Sequence, residues 1–377
     1  MKITAVICEF NPFHNGHKKL LDCAKKMQGS KLITVMSGDV VQRGLLPVID
    51  KYTRAKHATV AGSDITIELP PQYACAPAEI FAIGGVSYAV AAGADCIAFG
   101  SESGDIDELY AAAEITDDDN DALNAAIKEN LKCGMSHPSA RREALKQCGY
   151  VKAADTLDSP NNLLAIEYIK AIKRICPAMQ CISVKREGGA HGDTEICGDI
   201  CSSSAIRKAL GERLPPMQCV PPYVYDDLKK YKNSDDRLYA IIKYNIATKP
   251  IKDICGMAEG LDVKIQSEAA KSNSIEELID AVKSKRYTHA RIRRILTNIA
   301  ISNVCDIRAL KDVNIQYLNV LAMRDDARDL LAGFSAPATV RPYDKVRLNI
   351  VDDLSMRASA VFKAAAYDYA EKAYIHK

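Results

Sequence analysis

The strongest constraint on the fold is a rhythm in the first half of the chain. Short apolar runs, Ile3 to Cys8, Lys31 to Met36, Asp64 to Leu69, Asp95 to Gly100 and Met179 to Lys185, alternate with stretches whose apolar residues recur at three-and-four spacing. The latter, about His17 to Met27, Lys51 to Ala61, Ala78 to Ala92 and Asn162 to Arg174, read as helices. A strand buried on both faces is apolar throughout, whereas a covering helix needs only an apolar stripe. The alternation therefore predicts a parallel sheet covered by helices, an α/β fold. Residues Asp105 to Gly149 break the rhythm, acidic at Asp117 to Asp119 and then helical with Lys and Arg, and read as a helical insertion.

The chain has 377 residues, more than a single core usually serves, so two domains are expected. Pro215 and Pro216, followed by Pro221 and Pro222, block helix continuation and mark the boundary. Beyond about residue 225 strand signals are weak, and amphipathic windows such as Ile275 to Val282, Ala290 to Ile299 and Arg357 to Lys372 predict an α-helical module. The expected division is 1–215 and 216–377.

The formal net charge is only +2, so contact with nucleic acid would need a local basic patch. There are 13 cysteines but no CxxC pair, and Cys197 and Cys201 lack partners for a tetrahedral site, so no resident metal is expected. The cysteines read as small buried hydrophobes in a reducing cytosol. The N-terminal apolar run before Glu9 is too short for a signal peptide, and none approaches the ~18 residues of a membrane span. A soluble, cytoplasmic chain with no membrane partner is expected.

Chemistry concentrates where the first strand gives way to a helix: EFNPFHNGHKKLL, Glu9 to Leu21. Two histidines flank Asn15 and Gly16 at the helix N-terminus, where free amides and the positive dipole end suit an anion such as a triphosphate. Imidazoles there donate to phosphate oxygens, and Gly16 permits close approach of the backbone. A second segment, CSSSAIRKAL from Cys201 to Leu210, follows the last expected strand. Ser203 or Ser204 can cap its helix, and the hydroxyls with Arg207 make a second phosphate cradle. Taken alone, each segment is equally well an ordinary capped helix.

Together and in this order, the two segments resemble the paired loops of the HIGH-motif nucleotidyltransferase superfamily, G-x-F-x-P-x-H-x-G-H and I-S-S-T-x-I-R. Phe10, Pro12, His14, Gly16 and His17 match the first, and Ser202, Ser203, Ser204, Ile206 and Arg207 the second. Glu9 stands at the usual first glycine, Cys201 at the usual isoleucine and Ser204 at the usual threonine. What this implies is a Rossmann-like parallel sheet of the HIGH nucleotidyltransferase type with a C-terminal α-helical domain.

The segments EFNPFHNGH, MSGDVVQRG, DITIELP, FGSESGDI, SPNNLLAIEY and KRYTHARIRR further resemble the bacterial tRNA(Met) cytidine acetate ligase family over nearly the whole chain. Departures are QRGLLP, where an acidic residue commonly follows the glycine, and Ala190 in REGGAHGD, where an aromatic is common. The resemblance implies that residues 1–215 form an ATP-binding catalytic domain and 216–377 a tRNA-binding one. The implied enzyme activates acetate with ATP as acetyl-adenylate and acetylates N4 of the wobble cytidine of elongator methionine tRNA. Magnesium would accompany the triphosphate. The two phosphate loops alone equally suit a nucleotidyltransferase acting on a small phosphorylated metabolite; the helical domain with KRYTHARIRR favours tRNA.

Carried over residue by residue, the family's ATP contacts fall on Ile7, Cys8, Glu9, Phe10, Asn11, Pro12, Phe13, His14, Asn15, Gly16, His17, Lys18, Lys19 and Leu20. They continue on Gly100, on one of Asn161 and Asn162, and on Arg186, with Ser203 and Ser204 from the second loop. His14, His17 and Arg207 are the groups expected to stabilise charge on the leaving pyrophosphate. Gln42, Arg43 and Gly44 are expected to border the acetate or cytidine pocket, and His191 and Asp193 are candidate acid/base or tRNA-end groups. For tRNA the candidates are Lys285, Arg286, Arg291, Arg293 and Arg294, with Ile292, Ile295, Leu296 and Ile299 forming the buried stripe and Arg294 nearly opposite it.

Overall fold

The computed structural model describes residues 2–28, 31–44, 46–117, 119–186, 198–212, 217–230, 235–339, 350–366 and 373–376. Five strands run parallel: β1 (Ile3–Cys8), β2 (Lys31–Ser37), β3 (Ile65–Leu69), β4 (Cys96–Ser101) and β5 (Gln180–Lys185). Their order in the sheet is β5-β4-β1-β2-β3. The chain thus builds outward from β1 to β3, then returns to place β4 on the other side of β1. A crevice opens at the carboxyl ends of β1 and β4, where open α/β sheets bind their ligands.

Alternation along the strands divides two cores. Val6, Leu32 and Met36 face α1 (Asn15–Gln28) and α2 (Lys51–Val60). Ala5, Ile33 and Val35 face the opposite layer, which contains α3 (Pro71–Ala74) and α4 (Ala78–Ala91). Helix α4 is buried from Ile80 to Ala89, because the sheet covers one side and other helices the rest. Its sequence AEIFAIGGVSYAVA is accordingly apolar all round rather than amphipathic.

The insertion forms α5 (Ile106–Ile115), α6 (Asp121–Lys132), α7 (His137–Gln147) and α8 (Val151–Leu157), followed by α9 (Pro160–Ile175), which packs along α4. After β5 come α10 (Ser203–Gly211) and α11 (Pro222–Leu228), then a helical module of α12 (Asp235–Thr248), α13 (Leu261–Ala269), α14 (Ile275–Val282) and α15 (His289–Ala300). Pro215 and Pro216 lie outside the described residues.

The second half is not helical throughout, as its sequence suggests. Strand β6 (Leu318–Arg324) lies antiparallel against β3, with β7 (Ala338–Thr339) and β8 (Tyr374–His376) paired to it, before and after α16 (Ile350–Ala365). The physical reason is the edge of β3, whose backbone groups need partners. Side chains reinforce the return: Asn319 of β6 donates to Glu68, and Ser359 of α16 donates to Asp39 at 2.6 Å. Between these carboxylates lies the fully buried Lys51 ammonium, 2.9 Å from Glu68 and 3.2 Å from Asp39. Among the described residues no helix is long and apolar enough to cross a membrane.

Candidate functional site

The loop leaving β1 is held from beneath. Phe10 and Phe13 are buried with ring centroids 4.9 Å apart. Asn11 accepts the Val48 N–H at 2.8 Å. The wholly buried Arg54 guanidinium donates to the carbonyls of Glu9 at 2.6 Å, Ser37 at 2.9 Å, Ile49 at 2.9 Å and Gly38. One side chain thus ties the loop after β1 to the loop after β2.

His14 precedes α1 and its carbonyl accepts the N–H groups of His17 and Lys18, at 2.9 and 3.1 Å. The His14 and His17 rings stack with centroids 3.6 Å apart and planes 23° apart. Two imidazolium ions would not tolerate that contact, and both rings are held neutral. Burial lowers His14 to about 3, aided by Arg186 and Arg207, and burial with His14 and Arg186 holds His17 well below the ordinary imidazole range. The His14 N–H donates to His17 Nδ1 at 3.3 Å, so neutral His17 carries its proton on Nε2 and is a hydrogen-bond donor there. A Cβ at Gly16 would lie 3.0 Å from His14 Cε1 and 3.1 Å from its Nδ1, so any larger residue would push that ring by a few tenths of an ångström. His14 Nδ1 is itself buried without a partner among the described residues.

The second loop arrives from the other side. Ser202, rather than Ser203 or Ser204, caps α10, accepting the Ala205 N–H at 3.0 Å. The helix starts one residue earlier than its serines alone suggest, which frees Ser204 to bond Arg207 Nη2 at 3.1 Å. Arg207 Nη1 donates to the Asn11 carbonyl at 2.7 Å, so this arginine joins the two loops directly. Cys201, expected as a free thiol, is joined by a disulfide to Cys219, their Cα atoms 5.6 Å apart. The same two segments are bridged by Asn15, which donates to the carbonyls of Asp199 and Gln218 at 2.9 Å each.

These loops wall a cleft of about 1370 Å³, counting its open mouth. Of the expected ATP contacts, Ile7, Cys8, Glu9, Phe10, Asn11, His14, His17, Leu20, Gly100, Asn161, Arg186, Ser203 and Ser204 line it, as does Arg207, while Gly16 and Lys19 border an adjoining smaller pocket. Pro12, Phe13, Asn15 and Lys18 do not; Lys18 pairs with Asp22 at 2.6 Å. The ambiguous asparagines are separated by the geometry. Asn162 is buried and accepts the N–H groups of Glu102 and Ser103 at 2.9 and 3.2 Å, whereas Asn161 reaches the cleft wall and donates to Glu102 at 2.6 Å.

Gln42 and Arg43 line the cleft as expected. So does a wall of residues not among the expected contacts: Ala78 and Phe81 from α4, Phe99 from β4, and Leu163, Leu164 and Tyr168 from α9. In the sequence these are indistinguishable from core residues. His191 and Asp193 lie outside the described residues. No three His, Cys, Asp or Glu side chains converge on a metal position among the described residues. The donors where the two loops meet are imidazole, hydroxyl, amide and guanidinium groups, a set able to bond anionic oxygens.

On α15 the stripe Ile292, Ile295, Leu296 and Ile299 is buried as expected, and Thr288 caps the helix. Arg294 differs from expectation: it is half-buried beside Cys75 and Arg291, because α15 packs a second face against the loop after β2 at Gly44. Arg293 pairs with Glu276, and Arg291 donates to the Gly256 carbonyl at 3.3 Å and lies 5.1 Å from the Tyr287 ring centroid. Lys285 and Arg286 are exposed.

The model of the HIGH Nucleotidyl Transferase family matches residues 1–374. A tRNA(Met) cytidine acetate ligase of Clostridium perfringens is 35% identical over 370 residues, covering 94% of this chain and 92% of that protein. One from Caldanaerobacter subterraneus is 34% identical over 389 residues, covering 99% and 96%. The crystal structure of apo Thermotoga maritima TmcAL superposes with a TM-score of 0.87 at 26% identity over 100% of both chains. That of Thermotoga maritima TmcAL bound with alpha-thio ATP gives 0.82 at 27% identity over 96% and 92%. With the cleft at the β1–β4 crevice and both phosphate loops in place, the chain belongs to the HIGH nucleotidyl transferase family and, within it, to the tRNA(Met) cytidine acetate ligases.

Proposed function

We propose that this ATP-dependent tRNA-modifying ligase activates acetate as acetyl-adenylate and then acetylates N4 of the wobble cytidine of elongator methionine tRNA, in the cytoplasm. The observation that carries the reading is Arg207, which binds the first loop through the Asn11 carbonyl and the second through Ser204. It makes one cradle of the two helix N-termini, beside an apolar wall that suits an acetyl group and a base.

In the first step an acetate oxygen bonds to the α-phosphorus, the bond to the bridging oxygen breaks, and pyrophosphate leaves with the electron pair. Little covalent help is needed; the site positions two anions and stabilises the charge that moves onto pyrophosphate. His17 Nε2–H, the Ser203 and Ser204 hydroxyls, Arg207 and Arg186 are the donors assigned to that charge. Keeping both imidazoles neutral lets them donate without cost from mutual repulsion. Asn161, at the cleft wall, is assigned to the nucleotide and Asn162 to bracing the loop after β4. Magnesium would accompany the triphosphate and neutralise part of its charge, beside the Arg186 and Arg207 guanidinium groups.

In the second step the cytidine amine bonds to the acetyl carbonyl carbon and AMP leaves. We assign the catalytic work to residues 1–215 and tRNA positioning to the module beyond, with Lys285, Arg286 and Arg291 as its phosphate contacts. Incubation with labelled acetate, ATP and total tRNA, followed by nucleoside analysis, tests the whole reading. Labelled N4-acetylcytidine with matching AMP and pyrophosphate is expected. ATP consumption that ignores acetate and instead follows a phosphorylated metabolite would refute it.

A further inference from the structure

Acetyl transfer to an exocyclic amine releases a proton, and the phosphate donors cannot take it. Among the described residues lining the cleft, Glu9 is the only carboxylate. The other titratable wall groups are the cations Arg43, Arg186 and Arg207, two imidazoles facing the phosphates, and Cys8 and Tyr168, whose acid groups burial pushes upward.

Glu9 shares the main cleft with the donors of both loops, but on the side that leads away from the smaller pocket. The smaller pocket beside His14, His17, Arg186 and Ser202 does not reach it, whereas the main cleft continues past it to Gln42, Arg43 and the apolar wall. No second carboxylate lines the cleft with it, and no three His, Cys, Asp or Glu side chains converge on a metal position among the described residues.

Glu9 is also held for a task. Its Oε1 accepts the Gln42 N–H at 2.6 Å, and its main-chain carbonyl is fixed by Arg54 at 2.6 Å. Its other carboxylate oxygen has no hydrogen-bond partner among the described residues. Burial raises the carboxyl above the ordinary glutamate range, opposed by the Gln42 N–H and by Arg207, Arg43 and Arg54. That direction brings a carboxylate closer to the proton affinity a general base needs near neutral pH. Two residues beyond Gln42, Gly44 touches the backbone of α15, so the helix assigned to tRNA abuts the segment that holds Glu9.

We propose that Glu9 is the proton acceptor of acetyl transfer: it takes a proton from cytosine N4 as that nitrogen bonds to the acetyl carbonyl carbon, while the carbon–oxygen bond to AMP breaks and its electron pair leaves on the phosphate. This rests on the ligase reading above. In the HIGH superfamily pattern G-x-F-x-P-x-H-x-G-H this position is the first glycine, so the carboxylate is a departure of this chain from that pattern.

The test separates the two half-reactions. Enzyme is loaded with ATP and labelled acetate, pyrophosphate release is followed, and tRNA is then added for single-turnover transfer between about pH 5.5 and 9. Wild-type transfer is expected to rise with pH through one ionisation displaced upward from ordinary glutamate, because only the deprotonated carboxylate accepts the proton. Glu9→Gln is expected to slow transfer by about 10²- to 10⁴-fold and flatten its pH profile, well beyond any slowing of pyrophosphate release. Glu9→Asp is expected to restore part of the pH dependence. A Glu9→Gln protein with wild-type transfer, or with the wild-type pH profile, overturns the proposal. Equal losses in both half-reactions also overturn it and make Glu9 a brace for the loop. Failure of the ligase reading looks different: wild-type protein would release no acetate-dependent pyrophosphate, and the proposal would fall with it.

Discussion

Replacing Gly44 by alanine would put a methyl carbon 2.6 Å from Arg294 Cα and closer still to Arg294 N and the Arg293 carbonyl carbon. Ordinary carbon contacts begin near 3.5 Å, so helix and loop must separate by roughly 1 Å. Those neighbours are backbone, so no rotamer change relieves the overlap. Overpacking of this kind costs about 1–3 kcal/mol. Gly44 also has φ +71°, where an L side chain adds about 1–2 kcal/mol. Gly149→Ala is the control, with φ +84° but no neighbouring atom within 4 Å, so it carries only the conformational cost. Thermal unfolding of the two variants isolates the clash. With an unfolding entropy of about 2.1 cal/mol/K per residue, 1 kcal/mol shifts the melting temperature of a chain of 377 residues by about 1.3 °C, so Gly44→Ala is expected to melt about 1–4 °C below Gly149→Ala. Because α15 abuts the loop holding Glu9, Gly44→Ala is also expected to depress acetyl transfer more than acetate-dependent pyrophosphate release. Equal melting temperatures would show that the docking of α15 on Gly44 is wrong.

Two further outcomes are expected. His17→Ala removes the Nε2–H donor and should lower acetate-dependent pyrophosphate release by about 10²- to 10³-fold, the usual loss for one transition-state donor, with circular dichroism confirming a folded chain; unchanged turnover would remove His17 from the chemistry. Lys285→Ala with Arg286→Ala strips the exposed part of the basic patch and should reduce the slope of tRNA affinity against salt by about one to two units, with pyrophosphate release as the internal reference. Unchanged affinity would mean the patch is only solvated.

The sequence is most legible where structure is local. Strands β1 to β5 lie within a residue or two of their apolar runs; for β1 to β4 this is because a strand buried on both faces announces itself by composition. Ile275 to Val282 is the helix α14 its periodicity predicts. Strand β6 escaped because LNVLAMR becomes a strand through the edge of β3, about 250 residues away in sequence. The site divides the same way. His14, His17 and Arg207 stand out as a pattern, whereas Arg54, in KYTRAK, reads as a surface cation until four carbonyls from the two connections after β1 and β2 are seen around it. Arg294 misleads for a related reason: a helical wheel places it away from the stripe, and only Gly44 reveals the second surface it meets.

The antiparallel return of β6 also has a consequence for biosynthesis. The edge of β3 is translated about 250 residues before its partner. At 5–20 residues per second, it waits roughly 12–50 s with its backbone groups unpaired. Over the same interval Asp39, Glu68 and Lys51 lack Asn319 and Ser359, so a buried cluster of charges is only partly satisfied. An unpaired, apolar strand edge is a template for association with other chains. The nascent enzyme is thus most exposed to aggregation after β3 has emerged from the ribosome and before residue 324 has, a window in which a chaperone has a defined strand edge to shield.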